Sequence, residues 1–92
     1  MDFDWDDGNR DKNLRHGIHD WEIEEAFDDP QRKAGGAHRE RGERRRSLLG
    51  HSRTSGQYLK IVYTVRVKAG REFARPISAM RMTPAERARY ER

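Results

Sequence analysis

The sequence predicts an α+β domain: a small antiparallel β-sheet with two N-terminal helices and a C-terminal helix. Three observations carry this. Leu59, Ile61, Tyr63, Val65 and Val67 alternate with Tyr58, Lys60, Val62, Thr64 and Arg66, the two-residue period of a strand with one buried face. Thr83-Pro84-Ala85-Glu86 is a capping box with proline at the first helical position, which starts a helix. The chain has 92 residues, enough for one domain spanning 1–92 and no more.

Taken in order, Phe3 and Trp5 alternate with aspartates and predict a short strand with one apolar face. Residues 9–16 are helix-compatible, with Leu14 as their apolar anchor and Gly17 as the left-handed residue that ends the helix. A second helix is expected over 20–27, with Ile23, Ala26 and Phe27 on one side and the acids Asp20, Glu22 and Glu24 early, where the helix dipole favours them. Asp28-Asp29-Pro30 stops it. Residues 31–42 have no clear period and read as a weak edge strand that becomes a mobile loop. A strand follows over 43–51 and is closed by the turn-rich Ser52-Arg53-Thr54-Ser55-Gly56. After the strand at 57–67, Lys68-Ala69-Gly70 turns the chain into another over 71–78, where Pro76 argues for an edge or an interrupted ladder. The last helix runs from Pro84 to the end and is basic through Arg87, Arg89 and Arg92.

Composition bounds the class. Ile, Leu, Val and Phe number 14 of 92 and mean hydropathy is −1.25, so the core is thin and a stabilising partner is expected. No apolar run approaches the length of a membrane span of ~18 residues, and the opening Met1-Asp2-Phe3-Asp4-Trp5-Asp6-Asp7 is unlike a signal peptide. Without cysteine there is no disulfide framework and no thiolate zinc site, which fits a cytoplasmic protein.

Charge is segregated. Residues 1–30 carry eleven acids and three bases, a sum of −8; residues 31–92 sum to +12, and sixteen of the twenty bases are arginine. Such a basic region attracts polyanions, nucleic acid above all, and arginine grips phosphate with a planar fork. The acidic third either repels that ligand or packs on basic segments of the same fold.

No P-loop, Gly-rich dinucleotide turn or Ser/His/Asp order is present, and Gly17 breaks any helix that would align His16 with His19 as metal ligands. The metal-free, cofactor-free RNA cleavage that the family resemblance given below implies needs a base, an acid and cations around the phosphorane. His16 reads as an acid–base group or as a structural residue at a helix end. His51 ends a strand and faces either substrate or a turn. Arg45 and Arg75 sit mid-strand, as phosphate cations on a rigid platform or as partly buried partners of the acidic third. Lys60 and Arg66 lie on the polar face of the central strand, and Arg44 and Arg46 flank Arg45; these four are the candidate RNA-binding cations.

The local words resemble one family. Phe3-Asp4-Trp5-Asp6, then Asn9 and Lys12-Asn13-Leu14-Arg15-His16-Gly17-Ile18, is similar to the opening of the BrnT-type toxins, and Glu25-Ala26-Phe27 with Asp29-Pro30 to their helix end. Gly42-Glu43, Arg45 and Gly50, then Val62-Tyr63-Thr64, then Arg75-Pro76-Ile77-Ser78-Ala79 with Met82-Thr83, Glu86-Arg87 and Tyr90 follow in the family's order. The resemblance implies a RelE-like ribonuclease toxin of a type II toxin–antitoxin pair. It would inhibit translation and be silenced by a BrnA-type antitoxin, alone or in a hetero-oligomer or dimer, with operator DNA reached only through that antitoxin. The family has Arg directly after Ile-Ser-Ala; here Met80 stands there, followed by Arg81. Arg81 can substitute only if the strand has ended before it, since neighbouring strand residues face opposite ways. Otherwise the chain is a weak or inactive RNA- or antitoxin-binding module. A stand-alone DNA-binding domain is a third reading, against which no helix-turn-helix spacing is found.

Overall fold

A computed structural model describes residues 1–92. Helix α1 (Asp20–Asp28) precedes four strands, β1 (Lys33–Glu40), β2 (Glu43–His51), β3 (Tyr58–Lys68) and β4 (Arg71–Arg81), and helix α2 (Pro84–Tyr90) closes the chain. The strands form one antiparallel meander in the order β1-β2-β3-β4. Helix α1 covers one face: Ile23, Ala26 and Phe27 meet Leu48, Leu59, Ile61, Ala74 and Ala79, with Ile18 beside them. Leu49 and Tyr90 are buried on the opposite face, where α2 lies.

The α+β class, β2, α1 and α2 form much as expected. Thr83 accepts from the Glu86 N–H at 3.2 Å and the Thr83 N–H donates to Glu86 at 2.9 Å, so the capping box closes. The first N-terminal helix does not form. Residues 7–13 are turns, and only Leu14–His16 makes a 3-10 turn. The cause is chemical: Asn9 and Asn13 spend their side chains on distant backbone and on β4, which competes with helix formation, and Asp11 takes a positive φ of 56°. Leu14 is accordingly exposed, and Ile18 is the buried anchor instead. The N-terminal strand reduces to a single parallel bridge between Phe3 and Ala74, while Phe3 and Trp5 still pack on the core.

Two strands outrun their expected bounds. Residues 33–40 form a full strand rather than a loop, held by the ladder to β2; almost every residue is exposed, so no hydrophobic period marks it. Strand β4 continues to Arg81. The ladder is interrupted at Pro76, where Ile77 is left without a partner between Pro76 (opposite Tyr63) and Ser78 (opposite Val62), and pairing then resumes. The expected core face of β3 holds for Leu59, Ile61 and Tyr63, but Val67 is 66% exposed. A nine-residue helix covers about 13 Å, and the eleven residues of β3 extend for about 36 Å, so its far end has nothing above it.

The acidic third packs on basic segments of the same fold. Asp2 pairs with Arg71 at 2.8 Å, Asp4 with Lys68 at 2.8 Å and Arg75 at 3.5 Å, and Asp6 with Arg75 at 2.9 Å. The hydrogen bond from Lys68 holds the Asp4 carboxyl below its ordinary range, and that from Arg75 does the same for Asp6. Lowered folded-state values mean stability that is present above the unfolded value of about 4 and lost as pH falls through the folded one. Thermal unfolding between pH 6 and pH 3 is therefore expected to show a falling Tm. In Asp4→Asn/Asp6→Asn the curve starts lower and is flatter; an equally steep fall would remove these pairs as its cause.

Candidate active site at the sheet edge

Asn13 fixes the turn that carries His16. Its side-chain oxygen accepts from the Ala79 N–H at 3.1 Å, while the Asn9 amide donates to the carbonyls of Asp4 and Pro76, both at 2.9 Å. The segment before α1 is thereby stapled along the outer edge of β4. Gly17 ends the turn at φ 75°, a left-handed dihedral that favours glycine, and a Cβ there would lie 3.2 Å from Arg81 Nη2.

Arg81 reaches back from the end of β4 and donates from Nη1 to the His16 carbonyl at 3.0 Å. Beside it Arg15 donates from Nε to His16 Nε2 at 3.2 Å. In that bond Nε2 is the acceptor. Between the turn and β4 lies a cavity of about 350 Å³, lined by these three side chains together with Asn13, Ser78 and Met80. One imidazole nitrogen able to accept a proton and two arginines thus converge on one opening, a set suited to a phosphodiester.

The register settles which way Met80 and Arg81 face. Arg81 lies opposite Leu59, a core residue under the helix, and Met80 lies opposite Lys60, on the face that carries α2. The strand has not ended, so Arg81 does not occupy the direction of residue 80; it reaches the cavity from the other side of the sheet edge.

The remaining predicted residues lie elsewhere. Arg75 and Arg45 are both on the open face beyond α2, already in ion pairs: Arg75 with Asp4 and Asp6, Arg45 with Glu40 at 2.6 Å and Glu43 at 3.6 Å. Lys60 pairs with Glu86 at 3.2 Å and Arg66 with Glu43 at 3.9 Å on that same face. Arg44 and Arg46 point to the α1 side, opposite Arg39 and Ala37 on β1, with no carboxylate partner. His51 stacks on Tyr58, ring centroids 4.3 Å apart, across the sheet from His16. The structure therefore joins His16 to Arg81 and separates both from Arg45, Arg75 and His51. Arg15 and Ser78 were not singled out from sequence; an arginine adjoining a candidate base, and a serine on the strand carrying the cation, are the signals that pointed to them. No group of three or more His, Cys, Asp or Glu side chains is gathered that could hold a metal ion, and no helix is long and apolar enough to cross a membrane.

A family model described as "Ribonuclease toxin, BrnT, of type II toxin-antitoxin system" matches residues 5–86. No curated protein matches the chain.

Proposed function

Because the chain belongs to the BrnT family of type II toxin–antitoxin ribonuclease toxins, we propose that it cleaves RNA at the cavity between the His16 turn and the end of β4, without a metal ion. The observation that carries this reading is the convergence of His16, Arg15 and Arg81 from sites 65 residues apart. The 2′-hydroxyl of a bound nucleotide replaces Arg15 as the donor to His16 Nε2 and gives up its proton there. The 2′-oxygen attacks the adjacent phosphorus, the bond to the 5′-oxygen breaks, and that oxygen takes a proton from solvent at the open mouth. Arg15, released from the ring, and Arg81 bear the charge of the phosphorane. Lys60, Arg66, Arg44, Arg46, Arg45 and Arg75 supply the field that draws RNA to the sheet, all but Arg44 and Arg46 after exchanging a carboxylate for a phosphate.

The meander with α1 on one face and α2 on the other supports a RelE-like architecture, and the family supports an antitoxin partner, which we take to be BrnA-type and to carry the operator contact. Cleavage of cytoplasmic RNA would stop translation. A second reading, a weak or inactive module, is favoured by one observation: Met80, with no charge, is part of the cavity wall.

Incubation of the purified protein with RNA in EDTA tests the first reading, and cleavage is expected. RNA left intact at stoichiometric protein would sink it. Met80→Arg separates the two. Less than a threefold change is expected if Arg81 already supplies the cation; a gain above tenfold makes the chain a disabled enzyme.

A further inference from the structure

The largest cavity is not the one at His16. A cleft of about 850 Å³ opens between α2 and the start of β1 and shares no residue with the cavity at the other edge of the sheet. Its walls combine two kinds of side chain. Arg32 and Arg92 have side chains with no carboxylate partner; Arg32 donates to the Asp29 carbonyl at 3.1 Å, while Lys33 donates to the Arg89 carbonyl and is held on the main-chain carboxylate oxygen of Arg92. Beside them is an aromatic pile. The Arg87 guanidinium lies 3.2 Å above the Tyr58 ring, and His51 lies on Tyr58 at 4.3 Å with the planes 32° apart. One face of the His51 ring is taken by Tyr58, and His51 lines both this cleft and a smaller cavity beside it.

Tyr90 makes the floor rigid. Its hydroxyl donates to Asp29 at 2.5 Å, and Asp29 also accepts from the His51 N–H at 2.9 Å. The single side-chain carboxylate on the cleft wall, Glu91, is bound to Arg87. On the far side of His51 the character reverses: a smaller cavity is lined by Glu25, Asp28 and Asp29. An anion is therefore admitted on one side of the ring and repelled on the other.

We propose that this cleft is a nucleotide-binding subsite, with Arg32 and Arg92 on a phosphate and the His51 ring extending the pile onto a base. A planar base prolongs an Arg–Tyr–His pile in a way that an acidic peptide does not, and stacking of this kind is the usual means of holding single-stranded RNA. Position agrees with the chemistry. His51 pairs with Tyr58, and the Met82 N–H donates to the Tyr58 carbonyl, so both cavities belong to one end of the sheet. His51 on β2 and Arg81 on β4 are two strand spacings or about 10 Å apart, the reach of a short run of nucleotides. The identification of the ligand as RNA flanking the cleaved bond rests on the ribonuclease reading; the existence of the site does not.

The test is an amide-shift titration of the full chain with adenosine 3′,5′-bisphosphate. Shifts centred on Arg32, His51 and Tyr58 are expected. His51→Ala should weaken binding about tenfold and His51→Phe restore it, because the phenyl ring keeps the stack. Arg32→Ala should weaken binding and make it less salt-dependent. On RNA the same variants should raise KM more than they lower kcat. No shift in the cleft at millimolar nucleotide, or shifts confined to His16 and Arg81, would overturn the proposal. So would shifts with a hexaglutamate peptide and none with the nucleotide, which assign the cleft to an acidic protein partner. Nucleotide binding at His51 in a protein that leaves RNA intact would remove the ribonuclease reading and keep this site.

Discussion

Gly50→Ala is expected to lower the melting temperature by about 15 °C. Gly50 sits opposite Leu59, under helix α1, and a Cβ built there falls 2.3 Å from the Ala26 carbonyl oxygen and 2.9 Å from the Ala26 Cβ. The oxygen belongs to the helix backbone and has no rotamer by which to escape. Relief requires α1 to lift by about 1 Å from a close-packed core, a distortion of the kind that costs about 3 kcal/mol. For a domain of this size that is a large share of a total stability of roughly 5–15 kcal/mol and lowers Tm by about 15 °C. Denaturant unfolding of the two proteins checks it. Adding Ala26→Gly should not restore stability, because it removes the neighbouring methyl and leaves the carbonyl in place. Recovery in that double variant would show that the helix backbone is free to move and that the argument is wrong.

The second large effect is on catalysis. His16→Ala is expected to lower kcat/KM for RNA by about 10²–10⁴-fold, the range spanned by a positioned general base. His16 is exposed, so Tm should change little. Arg81→Ala is expected to cost about 10²–10³-fold through the lost charge on the phosphorane. It also removes the bond to the His16 carbonyl, so its deficit combined with that of His16→Ala should fall short of the product of the two. Arg81→Lys should lie between, keeping the charge and losing the fork. Activity that survives both alanine variants would move the chemistry away from this edge, to the open face of Arg45 and Arg75.

How much was legible in the sequence divides along the range of the signal. Strands β2 and β3 and helix α2 announce themselves within a few residues, by alternation or by the Thr83–Glu86 box, and they form. Strand β1 has no such mark. Its residues are exposed on both faces, and only its partner β2 makes it a strand. The helix expected at 9–16 fails because Asn9 and Asn13 bond to Pro76 and Ala79, residues 67 and 66 positions away, which no local pattern contains. The site shows the same division. His16, Arg75 and Arg81 can each be picked out as chemistry-bearing residues, but which of them meet depends on where β4 ends. Had it ended at Ser78, Arg81 could have turned into the place of Met80; it runs to Arg81, and parity decides the matter. The segregated charge proved in part a pairing rule: Asp2, Asp4 and Asp6 meet Arg71, Lys68 and Arg75, so three of the twelve excess charges of the later chain are neutralised there and the rest stay on the surface.

Those contacts set an order of events during folding. The bonds from Arg81 to His16, from Ala79 to Asn13 and from Arg75 to Asp4 join residues 65, 66 and 71 positions apart. Contacts of such long sequence separation form late, after the local hairpins. The cavity, which needs both the His16 turn and the end of β4, is therefore completed only after α1 and the β1–β2 hairpin are in place.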